Sequence, residues 1–399
     1  MDRDPGPRRA PDRSAEIAKL GDLAAEAGLR RVSMLAWRDL LDPEAGGSEV
    51  HASTVAEVWG EAGIEVTMRT SFAAGQPQVS WRDGYRVIRK AGRYMVFPRG
   101  AFSEMMGWHG ARDGLVEIWN GMPWLSPLWA SGPRICFLHH HHAEMWDMTL
   151  PPRLARMGRM VESRIAPPFY RRTPIVTLSE SSRRELVEEM GFKAKRITVV
   201  PPGIGARFSP GGQKAPTPLV VAAGRLVPVK RYDYLIDVLV ETKKRHPALE
   251  AVIVGEGYKR EELEAQRHEA GAEAWIRLAG HISDEELVDL YRRAWVVASA
   301  AAREGWGMTL TEAAACGTPA VATRIAGHLD AISEGRSGTL VTGRDEFVSA
   351  LDAVLRDGAL RNRLAAGALE HATRFTWEAT ARGTLEVLAA DAIRRRGRR

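Results

Sequence analysis

The chain has 399 residues, 45% of them hydrophobic and 27% charged, and this balance excludes a disordered chain and indicates a folded protein of two ordinary domains. The formal net charge of +6 would suit a nucleic-acid partner, but five of the last six residues are arginines, and the chain without them carries only +1. We therefore interpret the basic character as a solvated end, which leaves no nucleic-acid module and at most a weak electrostatic contact with a membrane.

The amino-terminal segment, residues 1–28, is rich in proline and arginine and predicts an extension that ends in a short helix. It lacks the apolar stretch of a signal peptide, and no run of about 18 apolar residues follows anywhere in the chain. We therefore expect a cytoplasmic protein, with the inner face of the cell membrane as a second location. The two cysteines, Cys136 and Cys316, stand among apolar residues and are expected to be buried thiols.

The next segment, residues 29–205, alternates predicted strands and helices. A helix is predicted over residues 47–62, and strands are predicted over residues 31–37, 64–70, 85–88, 115–118, 135–138 and 175–178. Such alternation predicts an α/β domain whose parallel sheet is covered by helices on both faces.

Turn-forming glycines and prolines accumulate between Pro201 and Pro218, and we place the boundary to a second domain there. The second domain, residues 206–375, again alternates helices with strands, which are predicted over residues 219–223, 251–254, 275–278, 296–298 and 320–322. We expect a doubly wound sheet here as well. The remaining residues, 376–399, predict a long amphipathic helix that leads into the arginine-rich tail.

The run REGWGMTLTEAAACG, residues 303–317, sets two carboxylates, Glu304 and Glu312, eight positions apart across a loop and a helix start. Its glycines, Gly305 and Gly307, let the backbone approach a ligand, and the free N–H groups at the helix start favour a phosphate. This chemistry suits a nucleotide sugar, because Glu304 would reach the sugar hydroxyls and Glu312 the ribose. An amphipathic helix with a solvated glutamate is the alternative. The donor-binding residues predicted at the helix start are Met308, Thr309 and Leu310.

The Glu-x7-Glu spacing, followed by Gly317-Thr318-Pro319, resembles the donor signature of the retaining family-four glycosyltransferases, the group 1 glycosyl transferases. That family has the GT-B fold, in which two doubly wound Rossmann-like domains face each other across a cleft and a C-terminal helix crosses back to the first domain. The resemblance implies an enzyme that moves a sugar from a nucleoside-diphosphate sugar to an acceptor hydroxyl with retention of anomeric configuration. It also implies that the first domain binds the acceptor and the second domain binds the nucleotide sugar.

Two cations follow the strand predicted over residues 219–223. Arg225 comes directly after Gly224, and Lys230 follows five residues later. This is the carboxyl end of a parallel strand, where ligands of such sheets bind. The segment GRLVPVKRYDYLI resembles the family's Gly-Arg-Leu-x-x-x-Lys pattern, which implies that Arg225 and Lys230 clamp the donor diphosphate beside Gly224. Two surface cations after a strand are the alternative.

An Asp-x-Asp pair, which metal-dependent transferases use to hold a divalent ion, occurs only at Asp2 and Asp4 in the amino-terminal tail. We therefore expect no metal ion and no cofactor. The negative charge of the leaving diphosphate would be met by Arg225, Lys230 and the helix dipole at Met308.

Four histidines, residues 139–142, follow the strand predicted over residues 135–138. Neighbouring side chains point apart in extended and in helical backbone, so these rings cannot all face one ligand. In the family that the chain resembles, an active-site histidine ends this strand near the transferred sugar, which implies His139, with His140 and His142 as alternatives. A histidine-rich metal site is a further alternative, although no carboxylate or cysteine within the run completes a usual ligand set.

Three further turns complete the implied donor site. Gly46 and Gly47 resemble the family's first-domain glycine loop, whose backbone N–H groups touch the donor phosphate. Gly255 resembles the glycine turn of the second domain, and Ile282 holds a position whose backbone usually meets the base.

Two positions depart from the family pattern. Gly205 stands where the family commonly has Asp, and residues 326–330 replace its usual Gly-Gly-x-Pro-Glu turn, with Asp330 at the acidic position. These differences leave the identity of the donor sugar open.

The acceptor is open as well, since a sugar, a lipid-linked acceptor and a small metabolite all fit. Aromatic faces stack on sugar rings and lipid chains, and the tryptophans near the expected cleft are Trp119, Trp124, Trp129 and Trp146. The sequence does not predict the oligomeric state. The alternative functions are a GT-B sugar-nucleotide epimerase and a noncatalytic nucleotide-sugar-binding protein.

Overall fold

The computed structural model of the protein describes residues 13–397, apart from the side chain of Thr149. The Asp2 and Asp4 pair and the last two arginines of the tail lie outside the described residues.

The first half of the chain alternates strands and helices, as its apolar pattern predicts. Its elements are α1 (Arg13–Ala27), β1 (Arg31–Leu35), α2 (Gly47–Glu61), β2 (Glu65–Thr70), β3 (Val79–Arg82), β4 (Tyr85–Arg89), α3 (Val96–Met105), β5 (Gly114–Trp119), α4 (Ser126–Trp129), β6 (Arg134–Leu138), α5 (Met145–Thr149), α6 (Pro152–Met160), a π-helical turn (Val161–Ile165), α7 (Pro167–Tyr170), β7 (Ile175–Thr177), α8 (Glu180–Glu188), a 3-10 turn (Ala194–Arg196) and β8 (Ile197–Val199).

The second half repeats the alternation and ends in three consecutive helices. Its elements are β9 (Leu219–Ala223), a 3-10 turn (Pro228–Lys230), α9 (Tyr232–Lys243), β10 (Glu250–Val254), α10 (Arg260–Glu269), β11 (Ile276–Gly280), α11 (Asp284–Arg293), β12 (Val296–Ser299), α12 (Met308–Ala315), β13 (Ala320–Thr323), α13 (His328–Ala331), β14 (Gly338–Val341), α14 (Arg344–Arg356), α15 (Gly358–Ala372) and α16 (Trp377–Arg396).

The described residues form two separate sheets. The first has the strand order β3-β4-β2-β1-β5-β6-β7-β8 and is parallel except for β3, which runs antiparallel to β4. The second has the order β11-β10-β9-β12-β13-β14 and is parallel throughout. The order switches direction at β1 in one sheet and at β9 in the other, and the crevice beside such a switch point is where doubly wound sheets bind ligands.

Helices cover both faces of the first sheet. One face packs against α1, α2 and α16 in a core that includes Met34 and Trp59, and the other packs against α3 around Leu35 and Leu115. Because helices bury both faces of the sheet, its strands are continuously apolar rather than alternating between apolar and polar residues.

The last helix, α16, belongs to the core of the first domain, as the resemblance implied. Leu385 and Leu388 are buried in that core, and the indole N–H of Trp59 donates to the carbonyl of Ala381 at 3.0 Å. The linker between the sheets is tied to the start of the same helix, because the Thr380 hydroxyl donates to the carbonyl of Pro201 at 2.7 Å.

Three strands were not predicted: β3, β8 and β14. The first two are the edge strands of the first sheet and are short, so little apolar pattern marks them. In the second sheet, β14 begins at Gly338, where a side chain would overlap the backbone of Ala320. Glycine at this position allows the two strands to approach closely, but in the sequence a glycine indicates a turn, and this strand was therefore not predicted.

Within the described residues, part of the arginine-rich end differs from the solvated tail that we expected. Arg394 and Arg395 lie on α16 and pair with the buried carboxylate of Asp391, which also accepts the backbone N–H of Arg134 at 3.0 Å. These arginines are ordered because a buried acid on the preceding helical turn holds them.

Candidate functional site

The two domains meet at the loop that precedes α12. A side chain at Gly305 would lie 2.9 Å from the carbonyl oxygen of His139, so only glycine allows this approach. The carbonyl of Gly305 accepts hydrogen bonds from the hydroxyls of Ser179 at 3.2 Å and Ser182 at 3.3 Å, at the start of α8. The run that contains Glu304 therefore lies directly against the carboxyl end of β6.

Lys230 and Glu304 form an ion pair in this cleft. Burial, and then the neighbouring Arg225, lower the pKa of Lys230 to about 8. His328 lies beside Gly307, and its pKa is lowered to about 4 by burial and by the charge of Lys230, against an opposing hydrogen bond to the backbone of Thr323. The structure thus brings together two residues, Lys230 and Glu304, that are 74 positions apart in the sequence.

Arg225 reaches across the cleft to the first domain. Its Nη1 donates to the carbonyl of Glu44 at 3.1 Å, and its Nε would lie 3.2 Å from a side-chain carbon at Gly46. A side-chain carbon at Gly47 would lie 3.2 Å from the sulfur of Met308, the first residue of α12. One part of the cleft is therefore surrounded by the predicted glycine loop, Arg225 and the start of α12.

Ion pairs hold the glycine loop. Arg93 contacts Asp42 at 3.3 Å and Glu44 at 2.9 Å, and Glu49 accepts the backbone N–H of Gly46 at 2.8 Å. These contacts fix a loop whose two glycines leave its backbone bare toward the second domain.

Gly224 lies beside Lys230, since a side-chain carbon there would lie 3.7 Å from Nζ of Lys230, and Gly255 packs against Gly224. Gly255 has φ of 130°, its N–H donates to the carbonyl of Gly280 at 2.9 Å, and a side chain there would overlap the carbonyl of Gly224. The two predicted glycines let the ends of β9, β10 and β11 pack backbone to backbone. Ile282, after β11, is partly buried against a core of the second domain that includes Val254 and Leu290.

The helix α12 starts at Gly307, which caps it with φ of 103°. The N–H of Leu310 donates back to the carbonyl of Gly307 at 3.0 Å, while those of Met308 and Thr309 have no acceptor within the helix. These two N–H groups carry the positive end of the helix dipole. The first turn of α12 can therefore receive an anion beside Lys230 and Arg225.

Glu312 lies one turn inside α12 and is half-buried. Burial raises its pKa to about 7, and Arg207, which pairs with Asp284, opposes that rise. The two predicted carboxylates thus have different surroundings: Glu304 faces a cation, whereas Glu312 lies in a less polar setting that a ribose hydroxyl could complete.

The four histidines diverge. The His139 ring is 4% exposed and its Nε2 lies 3.3 Å from Nδ1 of His51 on α2, and burial lowers its pKa to about 4. The His140 ring lies beside Gly305 and stacks on His142 with ring centroids 4.7 Å apart. His141 turns away and bonds Glu189 at 2.6 Å. Of the four, His140 has its ring closest to the Glu304 loop, while His139 contributes its carbonyl there.

Glu162 was missed by the sequence interpretation. It is fully buried in the π-helical turn, where its carboxylate accepts the indole N–H of Trp146 at 2.7 Å and the backbone N–H of His142 at 3.1 Å. Burial raises its pKa, but His142 and Trp146 together outweigh that and lower it overall. This acid fixes the histidine loop, and a π turn leaves no periodic signal by which it could have been found.

Arg303 and Asp330 were also missed as contacts between the domains. Arg303 donates to the carbonyl of His141 at 3.2 Å and pairs with Glu144 and Glu185 at 3.2 and 3.3 Å. Asp330 accepts the backbone N–H groups of two residues at the start of α8, both at 3.1 Å, and the hydroxyl of the second. Both residues stand in segments that we singled out, but only the structure shows their partners.

Two of the four tryptophans expected near the cleft are core residues. Trp119 is fully buried and Trp124 is 3% exposed. Trp129 is partly buried against the same core as Trp124, and Trp146 is held by Glu162.

Residues 13–397 contain no group of three or more His, Cys, Asp or Glu side chains arranged to hold a metal ion. None of the helices in this range is both long and apolar enough to cross a membrane.

Comparisons with known proteins match both domains. The model described as Glycosyltransferase Family 4 matches residues 45–207, and the model described as Glycosyl transferases group 1 matches residues 207–371. The D-inositol 3-phosphate glycosyltransferase of Stackebrandtia nassauensis is 30% identical over 92% of this chain and 93% of that protein. The protein of the same name from Xylanimonas cellulosilytica is 29% identical over 89% of this chain and 94% of its own.

Solved structures show the same fold. Sucrose-phosphate synthase from Thermosynechococcus elongatus superposes with a TM-score of 0.75 at 19% identity, over 89% of this chain and 97% of that one. HepE from Anabaena, in complex with UDP and glucose, superposes with a TM-score of 0.70 at 17% identity, over 90% of this chain and 100% of that one. These likenesses place the two domains in the GT-B fold. With a relative 30% identical along nearly its whole length and family models matching both domains, the chain belongs to the family-four glycosyltransferases and is an enzyme that transfers glycosyl groups.

Proposed function

We propose that the protein transfers a sugar from a nucleoside-diphosphate sugar to an acceptor hydroxyl, with retention of anomeric configuration and without a metal ion. The observation that carries this proposal is the convergence of Arg225, Lys230 and the first turn of α12 on one place in the cleft. Two cations and a helix dipole there can take up the charge that the leaving diphosphate gains, which is the largest electrostatic demand of the reaction.

The ion pair between Lys230 and Glu304 suggests how the donor would be received. A donor phosphate can replace the Glu304 carboxylate on the Lys230 ammonium, which frees Glu304 to accept hydrogen bonds from the sugar hydroxyls. Glu312 would accept from the ribose, and the bare N–H groups of Gly47 and Met308 would meet the phosphates. Gly46 would let the loop approach, while Gly224 and Gly255 would hold the strand ends behind it.

In the proposed transfer, the acceptor oxygen bonds to the anomeric carbon on the face from which the diphosphate leaves. The bond from that carbon to the diphosphate oxygen breaks, and the proton of the acceptor hydroxyl passes to the departing phosphate oxygen. No protein base is needed, so the protein acts by orientation and charge stabilisation. His139 was the predicted ring beside the sugar, and the position of His140 next to Gly305 makes it an equal candidate.

The relatives suggest substrates to test first. The HepE structure contains UDP and glucose, which favours uridine-diphosphate sugars as donors. The two relatives described above are named for D-inositol 3-phosphate, which favours a phosphorylated polyol among the acceptors. Three statements remain predictions: that the domain boundary lies between residues 205 and 206, that the first domain binds the acceptor and the second the donor, and that the protein is cytoplasmic.

The test is thermal stabilisation by UDP-, GDP-, ADP- and TDP-sugars with and without EDTA, followed by product analysis with and without acceptors. We expect one donor class to raise the melting temperature, EDTA to change nothing, and glycosylated product to form only when acceptor is present. A rearranged sugar nucleotide without acceptor would instead identify an epimerase. Donor binding without any product from a broad acceptor panel would identify a noncatalytic binding protein.

A further inference from the structure

A second concave site lies at the amino ends of the first-domain strands. This basic cavity has a volume of about 780 Å³ and lies where the ends of α1 and α16 meet the starts of β5 and β6. Six arginines line it: Arg134, Arg172, Arg196, Arg394, Arg395 and Arg396.

The basic cavity is separate from the donor site. Arg134 is the first residue of β6, and His139 follows the last residue of the same strand. At about 3.3 Å per residue, the two positions are roughly 16 Å apart along the strand. The carboxyl ends of the strands face the second domain, whereas the basic cavity lies at their amino ends, so a ligand there would not touch Lys230 or Glu304.

The charge in the basic cavity is poorly balanced. Asp113 is the one acid in its lining, and Asp391 lies behind it. Among the residues that the structure describes, neither Arg172 nor Arg196 forms a salt bridge, and the buried Nε of Arg134 has no hydrogen-bond acceptor. Burial, and then the nearby Arg395, lower the pKa of Arg134. Several arginines with few acidic partners repel one another, and this arrangement points to a bound anion that balances their charge.

The helix end alone does not explain these arginines. Basic residues in the last turn of α16 interact favourably with its dipole, which accounts for Arg394, Arg395 and Arg396. The other three come from different segments, at the start of β6, after α7 and before β8. Asp391 binds Arg394 and Arg395 through one nitrogen each and leaves their remaining N–H groups to face the cavity.

We propose that the basic cavity binds a phosphate-bearing anion, which is either a soluble phosphorylated metabolite or the headgroup of an anionic lipid. Guanidinium forks match phosphate oxygens in pairs, and the volume lies within the range of about 300–1,000 Å³ that small-molecule sites span. A neighbouring cavity of about 220 Å³ shares Arg196 and adds three more cations, Arg164, Arg171 and Lys193, which extends the positive surface.

The test measures binding to the full chain carrying Lys230→Ala, which weakens the contribution of the donor site to phosphate binding. Inorganic pyrophosphate is titrated by calorimetry, and vesicles of phosphatidylcholine with and without phosphatidylglycerol are tested by co-sedimentation. The cavity variant is Arg172→Gln with Arg196→Gln, because these two side chains hold no ion pair whose loss would disturb the fold. The matched control is Arg356→Gln with Arg363→Gln, which removes the same charge from exposed positions of the second domain.

We expect saturable binding that the cavity variant weakens about tenfold or more and the control leaves within twofold. Pyrophosphate binding without vesicle binding identifies a soluble metabolite, and sedimentation with phosphatidylglycerol vesicles identifies a lipid headgroup, provided that the cavity variant loses it. Binding of neither probe, or equal loss in the cavity variant and the control, overturns the proposal. Each variant's melting temperature, compared with that of the parent, shows that it is folded.

Discussion

Lys230 is the residue on which the donor site depends most. It lies in a buried setting where it pairs with Glu304 and faces Arg225 within the same site. The single carboxylate of Glu304 does not balance the charges of both Lys230 and Arg225. A diphosphate, which has several negatively charged oxygens, is a better partner for the two cations.

Replacing Lys230 by Ala should therefore lower kcat/KM about 100-fold, which corresponds to roughly 2.7 kcal/mol of lost transition-state stabilisation. The steady-state rate of sugar transfer measures it. Lys244→Ala, at an exposed position of the second domain, is the matched control and should change the rate less than twofold. Near wild-type turnover in Lys230→Ala with an unchanged melting temperature would remove Lys230 from the site.

The pH dependence of kcat/KM should report the same ammonium. Its pKa of about 8 means that Lys230 is charged below pH 8 and neutral above it, so donor capture should fall as pH rises through 8. Lys230→Arg keeps its charge at every accessible pH and should move this fall above pH 10 in whatever activity remains. Burial also lowers the pKa of Lys214 to about 8, but Lys214 bonds the backbone of Ala294 and Gly317. An alkaline fall that persists in Lys230→Arg would thus assign it to another group.

At the scale of elements, the site depends on backbone that approaches without side chains. The start of α2 and the start of α12 come from opposite domains, and they meet through Gly47 and Met308. Glycine at this contact leaves the N–H groups of both segments accessible to a phosphate.

Gly47→Ala should test this contact. The added carbon would lie 3.2 Å from the sulfur of Met308, which is tighter than usual packing, so the Met308 side chain or the loop must move by a few tenths of an ångström, and the methyl group would cover backbone that glycine leaves accessible. We expect kcat/KM to fall about tenfold, equal to roughly 1.4 kcal/mol, with little change in the melting temperature. Gly92→Ala is the control, because a side-chain carbon at Gly92 would meet nothing within 4 Å. Equal rates in the two variants would show that the loop does not approach the donor.

The elements that the sequence predicts well are those whose apolar pattern is unbroken. Strands such as β9 and β10 were read correctly because both faces of their sheet are buried, and the glycine that starts α12 marked its position. The edge strand β3 and the strand β14 at Gly338 were missed, since an edge carries weak patterning and a close-packed glycine reads as a turn.

The candidate site was predictable only in part, for a physical reason. A pattern of charge and glycine predicts Lys230 and Glu304 separately, whereas their ion pair is seen only in the folded structure. The position of His142 was not predictable, because its backbone N–H donates to Glu162, which lies in a π-helical turn that leaves no sequence periodicity.

At the scale of the whole molecule, the two domains are held together by polar contacts at both sides of the Glu304 loop. Arg303 contacts acids of the first domain on one side, and Asp330 contacts the start of α8 on the other. A carboxylate at a helix N-terminus is stabilised by free N–H groups and by the dipole, and both effects are lost if the domains separate. Asp330 therefore favours the arrangement in which Lys230 and the glycine loop face one place.

Asp330→Ala should shift the population toward separated domains. Loss of about 1–2 kcal/mol of closing free energy corresponds to a five- to thirty-fold change in that equilibrium, so we expect a rise of that order in the KM for the donor. Small-angle scattering should show a larger radius of gyration for the variant, and saturating donor should reduce the difference. Asp345→Ala, which removes an equal charge from an exposed position on α14, is the control and should leave both quantities unchanged. If Asp330→Ala raised KM without changing the scattering, Asp330 would act within the donor site rather than between the domains.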